Sequence, residues 1–494
     1  METIPAAVVR AAERFGDHEA VVDGPVRLTY AQLYERIRRC AGLFLSEGIR
    51  PGDRIAICAP NSHHWIVAAL GALHAGATLV PVSTRFTGPE MRELIERTDT
   101  RALVIVENFL GTDRLAQLKE AGTKLPETVL TVPVEGSVDW DGDTAAVDAR
   151  AAAVRPDDVS DILFTSGTTG RSKGAMSAHR QALGVAASWA ECGRLESSDR
   201  YLVINPFFHS FGYKAGILAA LLRGATLVPQ LTFDVEQTLH LIAEERITVL
   251  PGAPTIYQML LDSPARPNHD LSSLRLAVTG AATVPVALVE RMQSELSFDT
   301  VLTAYGLSEA VVATMCRPED DDETVARTAG RAAAGMEVRV DPDNGEILLR
   351  GPNVMLGYLD DPEATAKAVD SEGWLHTGDV GRLDERGYLT ITDRIKDMYI
   401  CGGFNVYPAE VEQSLARLPG VAESAVVGVP DPRLGEVGKV FVVRQAGSAL
   451  STEDIVAYCK RNLANYKVPR HVEFREQLPR NAAGKVLKRV LRET

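Results

Sequence analysis

The chain has 494 residues, 45% hydrophobic and 24% charged, with a formal net charge of -14 at pH 7. That length suggests about three domains of about 150 residues each, and the composition is that of a soluble globular protein. The acidic balance argues against a nonspecific nucleic-acid binder, which needs clustered Lys and Arg. The six cysteines (Cys40, Cys58, Cys192, Cys316, Cys401 and Cys459) are scattered without a CxxC pair. This speaks against a disulfide framework or zinc site and for a reducing, cytoplasmic setting. The start of the chain is amphipathic and holds Glu2 and Glu13 in place of an apolar h-region, so no signal peptide is expected. No run reaches the roughly 18 apolar residues of a membrane span.

In chain order, strand-like and helix-like stretches alternate over the first 310 residues. Strands are predicted at 54–58, 78–82, 102–106, 202–204, 248–250 and 274–278, with periodic apolar helices such as 30–46 and 235–245 between them. This alternation predicts α/β architecture: two doubly wound, largely parallel sheets, one before and one after the region of Pro156. Beyond about residue 325 strands shorten and turns multiply, at Asp343-Asn-Gly, Gly351-Pro and Glu385-Arg-Gly. That pattern predicts a small antiparallel β subdomain, which the family resemblance described below implies to be a barrel. A boundary near 394–397 divides the chain into a large domain, 1–395, and a small α+β domain, 396–494, whose mobility is implied only by the family resemblance described below. The small domain should have helices at 408–417 and 452–463 and strands at 424–429 and 439–443.

Five segments carry chemistry. The first, TSGTTGRSKG at 165–174, follows the apolar run 161–164. Glycines at 167, 170 and 174 admit backbone N–H groups to phosphate oxygens, hydroxyls add donors, and Arg171 and Lys173 add charge. It is not a Walker A loop, because Gly174 stands where the magnesium-binding Ser/Thr belongs. The second, TAYGLSE at 303–309, lies at the C-terminal end of a strand, where open α/β sheets bind ligands. The third is WLHTGD at 374–379 with DRIKD at 393–397. The fourth, at 397–410, contains Gly402-Gly403 beside aromatics, and the fifth is PRNAAGK at 479–485. Taken singly, most of these read as ordinary turns, a buried tyrosine or solvated lysines. The last 25 residues add a basic tail (Arg470, Arg475, Arg480, Lys485, Lys488, Arg489, Arg492) suited to RNA or to a polyanionic small molecule.

Together, in this order and spacing, the five segments resemble the adenylate-forming superfamily of acyl-CoA synthetases, adenylation domains and luciferases, over essentially the whole chain. The resemblance implies that Thr165, Ser166, Gly167, Thr168, Thr169, Gly170 and Lys173 hold the β- and γ-phosphates of ATP. It implies that Tyr305 stacks on adenine near Gly280, Ala281 and Ala282, within the run Ala304, Tyr305, Gly306, Leu307. Ser308 would touch the α-phosphate and Glu309 would hold Mg²⁺. Asp379 and Arg394 would take the ribose hydroxyls, Lys396 would be the hinge, and Gly402, Gly403 and Phe404 would line the pantetheine tunnel. Lys485 would be the catalytic lysine of adenylate formation. His209, in PFFHSFGY at 206–213, would stand at the mouth of an acyl pocket lined by Tyr213, Gly280, Ala304 and Leu307; the plain alternative is a core aromatic cluster with a satisfied histidine. The chain departs from the common family pattern at Thr303-Ala304 and in having a lysine at the hinge.

The apolar pocket candidates favour a hydrophobic acid. An amino-acid pocket would want an aspartate near 205–215, and Lys214 has the wrong sign. The segments 178–181, 205–209, 211–217 and 397–401 look most like the steroid-catabolic branch, whose members activate the propanoate chain of a bicyclic hexahydroindanedione. The alternatives are a medium-chain fatty or aryl acid, a carrier-protein thiol in place of CoA, and a noncatalytic ATP-binding regulator; the last would have been expected to lose Glu309 or Lys485. The expected partners are the acid, ATP and CoA, with no nucleic acid. A homodimer is left open.

Overall fold

The structure, a computed structural model, describes residues 2–136, 138, 140–165, 172–280, 284–394, 397–401, 404–463, 465–481 and 484–493, with backbone alone at 393, 394, 400, 404 and 405. The local signals act as expected. Helix Tyr30–Ser46 begins at Thr29, whose hydroxyl accepts from Gln32 N at 3.2 Å while Gln32 Oε1 accepts from Thr29 N at 2.9 Å. This reciprocal capping satisfies donors that a helix start leaves orphaned.

Two sheets organise the large domain. The nine-stranded sheet runs, edge to edge, through Arg331–Ala332, Ala310–Met315, Thr300–Leu307, Leu276–Gly280, Val249–Pro251, Arg200–Val203, Thr226–Pro229, Glu19–Asp23 and Val26–Thr29. Its central strands are parallel and its outer ones antiparallel. The seven-stranded sheet runs through Gly357–Tyr358, Lys173–Ala178, Val159–Thr165, Thr78–Pro81, Arg54–Cys58, Ala102–Val106 and Thr128–Val132. The sheets therefore do not divide at Pro156. The hairpin Glu19–Asp23/Val26–Thr29 joins the later sheet, with Val21 opposite Leu227, and the hairpin after Pro156 joins the earlier one. Alternating hydrophobicity identifies a strand; it does not say which distant edge that strand will pair with.

Helix His63–His74 is buried along its whole length and touches strands of both sheets. An all-round apolar helix is what a layer between two sheets requires. The small β subdomain is a four-stranded antiparallel sheet, Glu337–Val340, Glu346–Arg350, Leu375–Leu383 and Leu389–Arg394, tied by a bridge from Tyr388 to Arg331. Strands Tyr399–Cys401, Phe404–Val406, Val421–Asp431, Gly435–Arg444 and His471–Arg475 form a separate sheet with helices Pro408–Leu415 and Thr452–Asn462. Its core, including Val411, Leu415, Val426, Val440, Ile455 and Cys459, is distinct from the core that begins at Ile4. All six cysteines are free and buried. Among the described residues no helix is long and apolar enough to cross a membrane.

Two core histidines make stability depend on pH. His74 Nδ1 lies 2.9 Å from the carbonyl of Leu70, and His179 Nδ1 accepts from Ile4 N at 3.3 Å. Burial pushes each from 6.5 down to about 4. Between these values the unfolded chain binds more protons than the folded one, so stability is lost as pH falls through that window. Each residue contributes on the order of 3 kcal/mol to the loss. Urea midpoints should fall steadily from pH 6.5 to 4.5, and His179→Gln should flatten the slope. An unchanged slope in this variant would remove His179 from the account.

Candidate active site

The hairpin Val159–Thr165/Lys173–Ala178 presents the first motif. Thr165 lies opposite Lys173, and its hydroxyl donates to the Lys173 carbonyl at 3.4 Å. Tyr358 sits in register with Ala175 on the neighbouring strand, with Lys173 Nζ 4.8 Å from the centroid of its ring. The Tyr358 hydroxyl donates to Glu309 Oε1 at 2.8 Å. Burial and the Glu309 carboxylate push the Tyr358 phenol well up, so it stays a donor at neutral pH. One tyrosine thus places a cation on its face and an anion at its tip.

Glu309 occupies the turn between Thr300–Leu307 and Ala310–Met315, and its carbonyl accepts from Met355 N at 2.7 Å. Two glycines let backbones close in here, Gly280 from the neighbouring strand and Gly306 within the hairpin. A Cβ on Gly280 would stand 2.5 Å from the carbonyl of its register partner Ala304, and one on Gly306 would stand 2.6 Å from Val312 N. Val312 itself has φ +53°, a left-handed conformation that strains a β-branched residue. Asn353 holds it there, donating from Nδ2 to the carbonyls of Val311 and Val312, both at 3.1 Å. Leu307 and Ser308 are half-buried beside Glu309.

Tyr305 donates its hydroxyl to Asp379 Oδ2 at 2.7 Å. Asp379 is 5% exposed, its N–H donates to Thr377 Oγ1 at 3.0 Å, and it faces Arg394 across the strand pair. The second and third motifs are therefore brought into contact. His209 caps the helical run 210–223, with its exposed ring accepting from Phe211 N through Nδ1 at 3.2 Å. The segment before it is fixed by Asn61, which donates from Nδ2 to the carbonyls of Val203 (3.2 Å) and Asn205 (3.0 Å) and accepts from Phe207 N at 2.8 Å. Tyr213 is wholly buried, packed on Trp65 at 5.9 Å between centroids.

Lys485 lies on an exposed turn of the small domain, closed by the Arg480–Val486 bridge, by Lys485 N donating to Asn481 Oδ1 at 2.8 Å, and by Arg480 Nη1 donating to the Gly484 carbonyl at 2.6 Å. Of the remaining candidates, Ser166, Gly167, Thr168, Thr169, Gly170, Ala281, Ala282, Lys396, Gly402 and Gly403 lie outside the described residues, as do the side chains of Arg394 and Phe404. Tyr358, Asn353 and Asn61 were not singled out from the sequence.

Residues 8–359 match the family model described as AMP-binding enzyme, and residues 410–485 match that of the AMP-binding enzyme C-terminal domain. The chain belongs to the AMP-binding enzyme family. Within this family it is 62% identical to "3-[(3aS,4S,7aS)-7a-methyl-1,5-dioxo-octahydro-1H-inden-4-yl]propanoyl:CoA ligase" of Rhodococcus jostii (strain RHA1), covering 99% of this chain and 98% of that protein. It is 58% identical to the protein of the same name from Mycobacterium tuberculosis, covering 100% and 99%. A solved AMP-binding relative, ATP-bound MatB from Rhodopseudomonas palustris, superposes with a TM-score of 0.86 at 31% identity, covering 100% of this chain and 99% of that one.

In this AMP-binding domain Tyr358→Phe should remove the donor to Glu309 while keeping the ring under Lys173. A hydrogen bond to a charged group contributes about 1.5–3 kcal/mol, so kcat/KM for ATP should fall roughly tenfold to a hundredfold. Steady-state kinetics with ATP varied, beside a thermal melt, check this. Unaltered kinetics would show that the phenol does not orient Glu309.

Proposed function

We propose that the chain is an ATP-dependent, AMP-forming acyl-CoA ligase that activates the propanoate side chain of a bicyclic hexahydroindanedione of steroid origin. Full-length identity of 62% to a ligase so named is the observation that carries the reading. The juxtaposition of Lys173, Tyr358 and Glu309, and of Tyr305 with Asp379, supplies its geometry.

In this reading residues 1–395 form the adenylating domain and 396–494 a mobile domain hinged at Lys396. Thr165, Lys173 and the loop between them grip the departing pyrophosphate. Tyr305, with Gly280, Ala281 and Ala282, holds adenine, and Asp379 with Arg394 orients the ribose. Ser308 contacts the α-phosphate, and His209 orients the acid at a pocket walled by Ala304 and Leu307 and backed by Tyr213. Glu309 suits Mg²⁺. Among the described residues no cluster of three or more His, Cys, Asp or Glu could hold a metal, and Mg²⁺ is commonly bound by one or two carboxylates plus substrate phosphates. Bound there, it would offset phosphate charge. The acid carboxylate attacks the α-phosphorus and pyrophosphate leaves, giving an acyl-adenylate. Because two anions must meet, charge neutralisation and positioning dominate the barrier. Lys485 brings its ammonium to this step. In the second, the CoA thiol attacks the acyl carbon and AMP leaves. Lys485 withdraws, and Gly402, Gly403 and Phe404 line the pantetheine path.

Purified protein given ATP, Mg²⁺, CoA and a panel of acids should release AMP and form the bicyclic propanoyl-CoA in preference to medium-chain and aryl thioesters, as read by mass spectrometry. Preference for a straight-chain or aryl acid would overturn the substrate, and transfer only to a holo-carrier protein would overturn CoA as acceptor. Lys485→Ala should slow adenylate formation about 10²- to 10³-fold while a supplied acyl-adenylate is still converted to thioester. Equal loss in both half-reactions would refute the rotating-domain account.

A further inference from the structure

A charged cluster lies in the core between the two substrate-bearing segments. Lys214 Nζ and Asp161 Oδ1 are 2.9 Å apart, with side chains 1% and 0% exposed. Lys214 Nζ also donates to Ser177 Oγ at 2.8 Å. The Ser160 hydroxyl donates to Asp161 Oδ2 at 2.7 Å and lies 3.1 Å from the Ser177 carbonyl. Two charges taken out of water are seldom more stable than a well-packed apolar pair of the same size. A fixed registry is the better account of such a pair.

The placement says what is registered. Asp161 and Ser177 face each other across the hairpin whose open end, at Thr165 and Lys173, carries the phosphate-gripping motif. Lys214 sits on the wide turn Tyr213–Leu218, a π-helical turn inside the run that His209 caps. Such turns are rare and recur at functional sites. This run is itself pressed onto the preceding loop, since a Cβ on Gly212 would collide with the carbonyl of Pro206. One ammonium therefore joins the base of the phosphate hairpin to the segment that presents the acid.

We propose that Lys214 is a positioning residue for adenylate formation: through Asp161 and Ser177 it fixes the His209 segment against the phosphate hairpin, so that the acid carboxylate and the α-phosphate meet at attack distance. It touches neither substrate. The inference rests on the acyl-adenylate reading of the site.

Two variants test it. Ser177→Ala keeps the ion pair and removes one acceptor. Asp161→Asn combined with Lys214→Met removes both charges at similar volume. The double variant should melt within a few degrees of the wild type. With an acid the wild type activates, its pyrophosphate-exchange kcat should fall about 10- to 100-fold, the scale of a misplacement near 1 Å. Its KM for ATP should be little changed, and it should convert supplied acyl-adenylate to thioester at the wild-type rate. Ser177→Ala should show the same split at several-fold. A double variant that adenylates normally overturns the proposal, as does equal loss of both half-reactions with a lowered melting temperature. If the double variant does not fold, Ser177→Ala decides by the same split, and its absence overturns the proposal. A wild type that adenylates no acid overturns the reading of the site, and this inference with it.

Discussion

The antiparallel register of Val159–Thr165 on Lys173–Ala178 is the constraint from which the site is built. Side chains alternate faces along a strand, so a slip of one residue would turn every one of them over. In the observed register Thr165 meets Lys173 at the open end and Asp161 meets Ser177 at the base. The next strand then sets Tyr358 against Ala175, within reach of both Lys173 and Glu309. The Thr165/Lys173 end, the seat of Tyr358 and the Asp161 and Ser177 side of the buried ion pair all inherit their positions from that one pairing.

The charge arrangement resolves a conflict built into the composition. In the proposed reading, a chain of net charge -14 receives a nucleotide polyanion beside its own Glu309 and Asp379. Tyr358 separates opposite charges that would otherwise collapse together: its ring takes the Lys173 ammonium and its hydroxyl takes the Glu309 carboxylate. Among the described residues no direct ion pair joins the two. In that reading the cation remains available to phosphate and the anion to a metal. A direct pair would have spent both on each other, with little gain where water reaches them.

Much of this was legible in sequence, and the limit has a physical cause. Tyr30–Ser46 combines helical apolar spacing with the Thr29/Gln32 cap, and Ala102–Val106 is a continuous apolar run buried on both faces. Both signals are local. Glu309, Asp379 and Lys485 are ordinary singly and stood out only through the resemblance that the five segments carry in their order and spacing. Pairing across the chain was not legible. Nothing near Tyr358 announces a partner 49 positions earlier, and nothing near Val21 announces Leu227. Lys214 read as a charge of the wrong sign for an amino-acid pocket; its partner lies at the head of an apolar strand and neutralises it inside the core. The π-helical turn is invisible for a related reason, because one widened turn scarcely alters an apolar pattern over so few residues.

The separation of cores bears on how one site can run two reactions. The core containing Val411, Val426, Val440 and Ile455 closes on itself, apart from the core beginning at Ile4. A unit with its own core can turn as a body without exposing apolar surface from the other, so its movement does not carry the cost of unfolding. The turn bearing Lys485 is braced within that unit, by Asn481 and Arg480, and Arg480 pairs with Glu423. The lysine would therefore move with the unit. The hairpin of Thr165 and Lys173, by contrast, is braced inside the large domain by the Lys214–Asp161 pair. In the proposed reading, one half holds both substrates while the other delivers and withdraws one ammonium, the division of labour that two successive half-reactions at one centre demand.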